Sequence, residues 1–247
     1  MKELTALWTG VAAWLALGAS PALAALSFTD DFSGASIDSY WWTVSTDAGN
    51  TVSLNTVAHR VEMTQGSTSG SSGLGFNFPL QGDFDVQVDF VLNNWTMDPA
   101  GYEQERVAIY SSTGAVERVS DWYFGGEIYL THFTAQQPTP WPGISTQQLS
   151  GSLRLTRVGE VVSGFFRDPG TPDWQLLNTT IHTDPVTFGF SVFSGYSGTQ
   201  IGDVIEFDNV VVESPDTTVP EPGAAALGTG ALAAMGLLTV HRHRKRR

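Results

Sequence analysis

Asp83-Phe84-Asp85-Val86-Gln87-Val88-Asp89-Phe90-Val91-Leu92 is the stretch that decides the fold. Phe84, Val86, Val88, Phe90 and Leu92 take every second position, and Asp83, Asp85, Gln87 and Asp89 stand between them. Side chains alternate across a strand, so one face is apolar and the other acidic, as in a half-buried strand of an antiparallel sheet. Val186, Phe188, Phe190 and Val192 repeat the pattern against Thr187, Gly189 and Ser191. Working outward, further strands are predicted at 41–46, 58–64, 72–79, 104–111, 115–122, 126–133, 151–158, 160–167 and 203–212, with turns such as Asp168-Pro169-Gly170 between them. No stretch has helical periodicity, and roughly a dozen short strands fit two packed antiparallel sheets, an all-β sandwich. No repeat of fixed period points to a solenoid or propeller. Gly66-Ser67-Thr68-Ser69-Gly70-Ser71-Ser72-Gly73 is of low complexity; it is expected to be a mobile loop, too short to divide two domains.

The charge is unevenly distributed. Residues 25–219 hold six basic side chains, all arginine (Arg60, Arg106, Arg118, Arg154, Arg157 and Arg167), against 23 Asp and Glu, a formal charge of −17. Such a surface repels phosphate backbones, which argues against a nucleic-acid partner and for divalent cations or neutral polymers. The absence of cysteine excludes thiol catalysis, disulfides and Cys-ligated zinc.

The ends have a different composition. Lys2, an apolar run from Leu4 to Leu17, then Pro21 and Ala22-Leu23-Ala24 read as a secretory signal, residues 1–24, cut after Ala24 by signal peptidase. Glu3 departs from a purely basic start, and the apolar run is shorter than the ~20 residues a membrane span needs. At the other end Val219-Pro220-Glu221-Pro222 closes a linker, 215–222. The 18 uncharged residues Gly223–Val240 follow, then the basic tail His241–Arg247. As a helix, 223–240 would reach about 27 Å, enough for one inner-membrane span with the tail left cytoplasmic.

A Pro-Glu-Pro motif, a single hydrophobic span and a basic terminus in that order resemble the PEP-CTERM sorting signal. The resemblance covers about the last tenth of the chain. It implies recognition of Val219, Pro220, Glu221 and Pro222 by an exosortase, a membrane protease that releases the protein to the cell surface or medium of a Gram-negative, biofilm-forming bacterium. A plain C-terminal anchor is the alternative, and Glu221→Ala separates the two, since an anchor is indifferent to that residue.

Between the ends, residues 25–214 resemble the concanavalin A-like or laminin G-like jelly rolls. The matching residues are Phe28-Thr29-Asp30-Asp31-Phe32-Ser33 with Trp41-Trp42, Gly151-Ser152-Leu153-Arg154-Leu155-Thr156-Arg157-Val158-Gly159, Gly164-Phe165-Phe166-Arg167, Asp173-Trp174-Gln175-Leu176-Leu177 and Ile205-Glu206-Phe207-Asp208-Asn209-Val210. The resemblance implies a fold; activity has to be argued from a site.

Glucanases of this fold place carboxylates at i, i+2 and i+4 of one strand. Glu127-Ile128-Tyr129-Leu130-Thr131 keeps only the first, so this strand alone lacks a hydrolytic pair. Asp83, Asp85 and Asp89 share one face and Glu103 with Glu105 another; the plain reading is solvated strand faces. No Gly-x-Ser-x-Gly elbow is present. His59 shares parity with Val61 and Met63, and His132 with Ile128 and Leu130, so both are expected beside apolar neighbours. The chain therefore leans away from catalysis, with no catalytic residue assigned.

Sugar-binding modules stack rings on exposed aromatics beside amide and carboxylate partners. Outside clean alternation stand Trp95, Tyr102, Trp122, Tyr123, Tyr129 and Trp141, the last in a Pro-rich loop, and Glu127 joins Tyr129 as a polar partner. Trp41, Trp42 and Trp174 are expected to fill the core. The jelly-roll resemblance further implies a structural calcium where first and last strands meet, held by backbone carbonyls and Asp208 of the closing strand, with Asp30 or Asp31 opposite it. Asp208 has the parity of Val210 and Val212, so this assignment requires a β-bulge or a mixed face.

Three functions stay open: an exported, non-catalytic surface or matrix protein that binds polysaccharide; a glycoside hydrolase or polysaccharide lyase of the same fold; and a purely structural matrix protein.

Overall fold

In the computed structural model the described residues are 24–47, 49–66, 70–93, 104–121, 127–134, 144–145, 148–195 and 202–219, with side chains at 24, 104–107, 117–121, 127–134, 144–145 and 194–195 excepted. The chain divides into two units, Ala25–Thr217 and the terminal segments Met1–Ala24 with Thr218–Arg247. The signal segment, the sorting motif beyond Val219, the span and the basic tail lie outside the described residues.

Among the described residues fifteen strands follow one another: β1 (Ala24–Asp30), β2 (Trp42–Thr46), β3 (Thr51–Asn55), β4 (Arg60–Thr64), β5 (Gly70–Phe76), β6 (Phe84–Asn93), β7 (Gln104–Ser111), β8 (Gly114–Asp121), β9 (Glu127–Thr134), β10 (Ile144–Ser145), β11 (Ser150–Val158), β12 (Val161–Arg167), β13 (Gln175–Ile181), β14 (Phe188–Gly195) and β15 (Val204–Val219). They form two antiparallel sheets. Sheet A runs β13-β12-β11-β6-β15-β4-β3, with β1 also on β15, and sheet B runs β10-β9-β8-β7-β14-β5-β2.

The core lies where the apolar faces meet. Phe84, Val86, Val88, Phe90 and Leu92 of β6 are all buried while their neighbours are half-exposed, so the alternation read from the sequence is the alternation of the fold. From sheet B, Leu74, Ile109, Val116, Phe188, Phe190 and Val192 point into the same layer. Trp42 is 2% exposed, packs edge-on to Phe190 with centroids 5.3 Å apart, and donates its indole N–H to Asp30 Oδ2 at 2.8 Å, which satisfies the one polar atom it buries.

Three expectations are corrected. Gly70–Gly73 is not loop but the start of β5, inside sheet B between β14 and β2. A Cβ on Gly73 would come within 2.8 Å of the Phe190 carbonyl oxygen, so the small residues that looked like a linker fit a tight strand approach. His59 is exposed in the 56–59 turn with φ 55°, one residue before β4 begins, so strand parity does not apply to it. Trp174 is half-buried just before the edge strand β13, where it faces Arg154 and Arg167 at 5.2 and 4.5 Å instead of the core. The inward positions of neighbouring β12 are already filled by Val162 and Phe166.

Candidate functional site

Sheet B brings the two sugar-site candidates that can be placed, Glu127 and Tyr129, into two adjacent rows. One row registers Gly195, Gln104, Asp121 and Glu127 across β14, β7, β8 and β9. The next registers Phe193, Arg106, Val119, Tyr129 and, on β10, Ser145. Sequence reasoning found Glu127 and Tyr129 but not Asp121, which the β8–β9 register sets directly opposite Glu127. Trp95, Tyr102, Trp122, Tyr123 and Trp141 lie outside the described residues.

Further along the sheet, its outward face is built of small residues and two rings. Gly189 registers with Gly75 on one side and Tyr110 on the other. The Tyr110 hydroxyl reaches over Gly189, 2.5 Å from where a Cβ would stand there, and lies 3.8 Å from the same point on Gly75. Tyr110 thus lies along the face, and burial pushes its phenol above the ordinary tyrosine range. Phe193, two positions on from Ser191, is 41% exposed. Glycines here are a requirement of geometry, since any side chain at 189 collides with the ring.

The outward face of sheet A is polar and carries a cleft of about 290 Å³ between its strands and the 168–171 turn. Arg167, Ser152, Asp89 and Asp208 form one row across β12, β11, β6 and β15. Ser152 Oγ donates to Asp89 Oδ1 at 2.5 Å, Arg167 Nη2 to Ser152 Oγ at 3.1 Å, and Asn209 Nδ2 to Asp89 Oδ2 at 3.1 Å. Arg60 pairs with Glu206 at 2.5 Å and stands 3.7 Å from Asp208 Oδ2. The register shifts between Asp208 and Val211, with Asn209 at φ 50°, so the bulge that Asp208 requires is present. Burial is the main cause that lifts the Asp208 carboxyl above the ordinary range; nearby Asp89 and Asp31 add to it, against the Asn209 N–H bond and Arg60.

That bulge does not assemble a calcium site. Asp30 spends one oxygen on the Phe32 N–H at 2.8 Å and the other on Trp42. Asp31 Oδ1 accepts from the Ser33 N–H at 3.1 Å, an interaction that helps hold its carboxyl below the ordinary range, and Asp208 Oδ1 accepts from the Asn209 N–H at 2.7 Å. Among the described residues no three acidic or histidine side chains converge as a metal would need, whereas calcium takes six to eight oxygens. The side chains of Asp30, Asp31 and Asp208 thus do not form a calcium site by themselves, and backbone carbonyls would have to supply the remaining oxygens.

No family model matches this chain, and no curated protein does. Solved structures do. The carbohydrate recognition domain of Emp47p superposes with a TM-score of 0.50 at 10% identity, over 80% of this chain and 99% of that one. A lectin from Bauhinia forficata, solved with GalNAc, gives 0.50 at 11% identity, over 76% and 98%. At such identities the likeness concerns architecture: the chain has the two-sheet, concanavalin A-like jelly roll of legume-lectin-type domains.

Proposed function

We propose that this chain is an exported surface or matrix protein whose jelly roll binds polysaccharide without cleaving it, through the outward face of sheet B. The observation that carries the reading is the pair of rows in which Glu127, Asp121 and Gln104 stand beside Tyr129, Arg106 and the exposed Phe193. Rings offer the apolar faces of sugars a surface to bury, and carboxylate, amide and guanidinium groups supply the hydroxyl partners. The acidic domain favours neutral glycans over polyanions. Export rests on the terminal segments: signal peptidase removes 1–24, and an exosortase acts at Val219–Pro222 and frees the domain from its transient span.

One observation favours a hydrolase. Asp121 and Glu127 are backbone partners across β8 and β9, and a glycoside hydrolase of this fold needs two carboxylates from one face. The two readings part on one experiment, a glycan array probed with the full chain, followed by a reducing-end assay on every hit. Binding with no new reducing ends supports the binder. Chain cleavage that Glu127→Gln abolishes would establish the enzyme, and silence on the array would remove both. Accumulation of uncut precursor in Glu221→Ala, with normal processing of the parent, supports the exosortase step.

A further inference from the structure

Tyr110 belongs to β7, yet its ring does not stand over β7. It crosses to β14, where the hydroxyl is 2.5 Å and Cζ 2.7 Å from the point a Cβ would occupy on Gly189. The hydroxyl also lies 3.8 Å from the same point on Gly75 of β5. A ring held that low across neighbouring strands lies flat on them, and only glycine beneath leaves it the room. Phe193 is the second ring on this face: it stands on β14 itself, four residues beyond Gly189 and with the same parity, and is 41% exposed. At about 3.3 Å per residue the two supports are about 13 Å apart along one strand. Ser191 lies midway, registered with Gly73 of β5 and Ala108 of β7, so the described residues between the two rings on these three strands are small.

We infer that the face of sheet B takes an extended, neutral, β-1,4-linked hexose chain lying along β14, with one sugar stacked on Tyr110, one on Phe193 and one between them over Ser191. This names the ligand class of the sugar site proposed above and rests on that reading. A ring laid flat on glycines turns one face to the sheet and the other outward, the orientation in which the C–H face of a pyranose buries against it. Tyr110 is accordingly half-buried, and burial raises its phenol. Two supports in line select a chain whose successive sugars lie in one plane. A single sugar meets one ring only, and a chain that coils away from the strand axis cannot meet both. The small residues at 73, 108 and 191 let the middle sugar come down to the sheet, where the Ser191 hydroxyl is both donor and acceptor. The formal charge of −17 on 25–219 turns away uronate and sulfated chains of the same outline. A peptide is the poorer occupant, because β14 is paired on both sides and offers no main-chain edge to a further strand.

The test is isothermal titration of the full chain, in a detergent without a sugar head group, with cellobiose, cellotriose, cellohexaose and a galacturonic acid hexamer. Cellotriose should bind at least tenfold more tightly than cellobiose, since only the trimer reaches both rings, and the anionic hexamer should not bind. Tyr110→Ala should weaken cellohexaose about tenfold, in the range of one aromatic contact, and remove the difference between dimer and trimer. Tyr110→Phe should keep the parent affinity, because the ring and not the hydroxyl is the support. Equal affinity for cellobiose and cellotriose overturns the inference, a comparison that needs no variant to fold. So does unaltered affinity in a Tyr110→Ala chain that melts like the parent. If cellohexaose is silent while another glycan from the array binds and is weakened by Phe193→Ala, this inference alone fails and the sugar site on sheet B stands. Silence of the whole array removes both.

Discussion

Asp208 of β15 stands directly opposite Asp89 of β6, two carboxylates in register on the outward face of sheet A. Like charges in that position repel, and here the repulsion is managed by neutral donors on Asp89 and by a bulge that turns Asn209 back toward it. The residual cost falls on Asp208, whose carboxyl is held above its ordinary range chiefly by burial. A carboxyl raised on folding contributes its stability below the unfolded pKa, near 3.9, and loses it as pH rises through the folded value. Asp208→Asn should therefore melt no lower than the parent at pH 7, and higher by on the order of 1 °C, because the group is partly exposed and solvent screens it. The gain should fade as the pH is lowered toward about 4. A clear loss of melting temperature at pH 7 would mean that the Arg60 contact outweighs the repulsion.

Arg157 is 1% exposed and ties three segments together. Its guanidinium donates to the Gly82 carbonyl and to the Asp184 carbonyl, the latter at 2.6 Å, and lies 5.1 Å over Phe84. Burial pulls its pKa down, against Asp83 and Asp216, yet from so high a start it stays charged. Arg157→Ala leaves two carbonyls without their donor and opens a cavity, and should cost about 3 kcal/mol or more in urea unfolding. Arg157→Met restores volume without donors and should recover only part of it. Full recovery would show that packing, not the carbonyl bonds, is what Arg157 supplies.

Gly189→Ala tests the face of sheet B. The new methyl would collide with the Leu74 carbonyl oxygen and the Tyr110 ring, and the carbonyl belongs to a paired strand that cannot yield. Destabilisation of about 1–3 kcal/mol is expected, as for other overpacked sites. Tyr110→Ala in the same chain should relieve only part of it, because the backbone clash remains.

Chelation should be without effect. With Asp30 accepting from Phe32 and Trp42, Asp208 accepting from Asn209, and no three acidic side chains converging among the described residues, EDTA should leave the melting temperature within error of its value in millimolar calcium. A drop of several degrees would establish a structural calcium, with backbone carbonyls completing its ligands.

The legible parts of this fold were those where one face is dry. β6 and β14 announce themselves because burying one face forces alternation, and of the bulge or mixed face that the parity of Asp208 left open it is the bulge that is found. The start of β5, before the predicted strand at 72–79, was hidden because a stretch whose Gly73 must fit against Phe190 has the composition of a linker. Trp174 misled because edge-strand neighbours need not face the core. The pairing of Asp121 with Glu127 was out of reach for a different reason: register across a connection is set by the whole sheet, and no spacing within either strand encodes it.

The central claim is that the outward face of sheet B holds sugar. It is tested most directly by titrating whichever glycan the array identifies against the parent chain and Phe193→Ala, a change at an exposed ring that leaves the core alone. The account predicts a loss of affinity of about tenfold, in the range of one aromatic contact, with the melting temperature unchanged. Unaltered affinity in a variant that melts like the parent would contradict it.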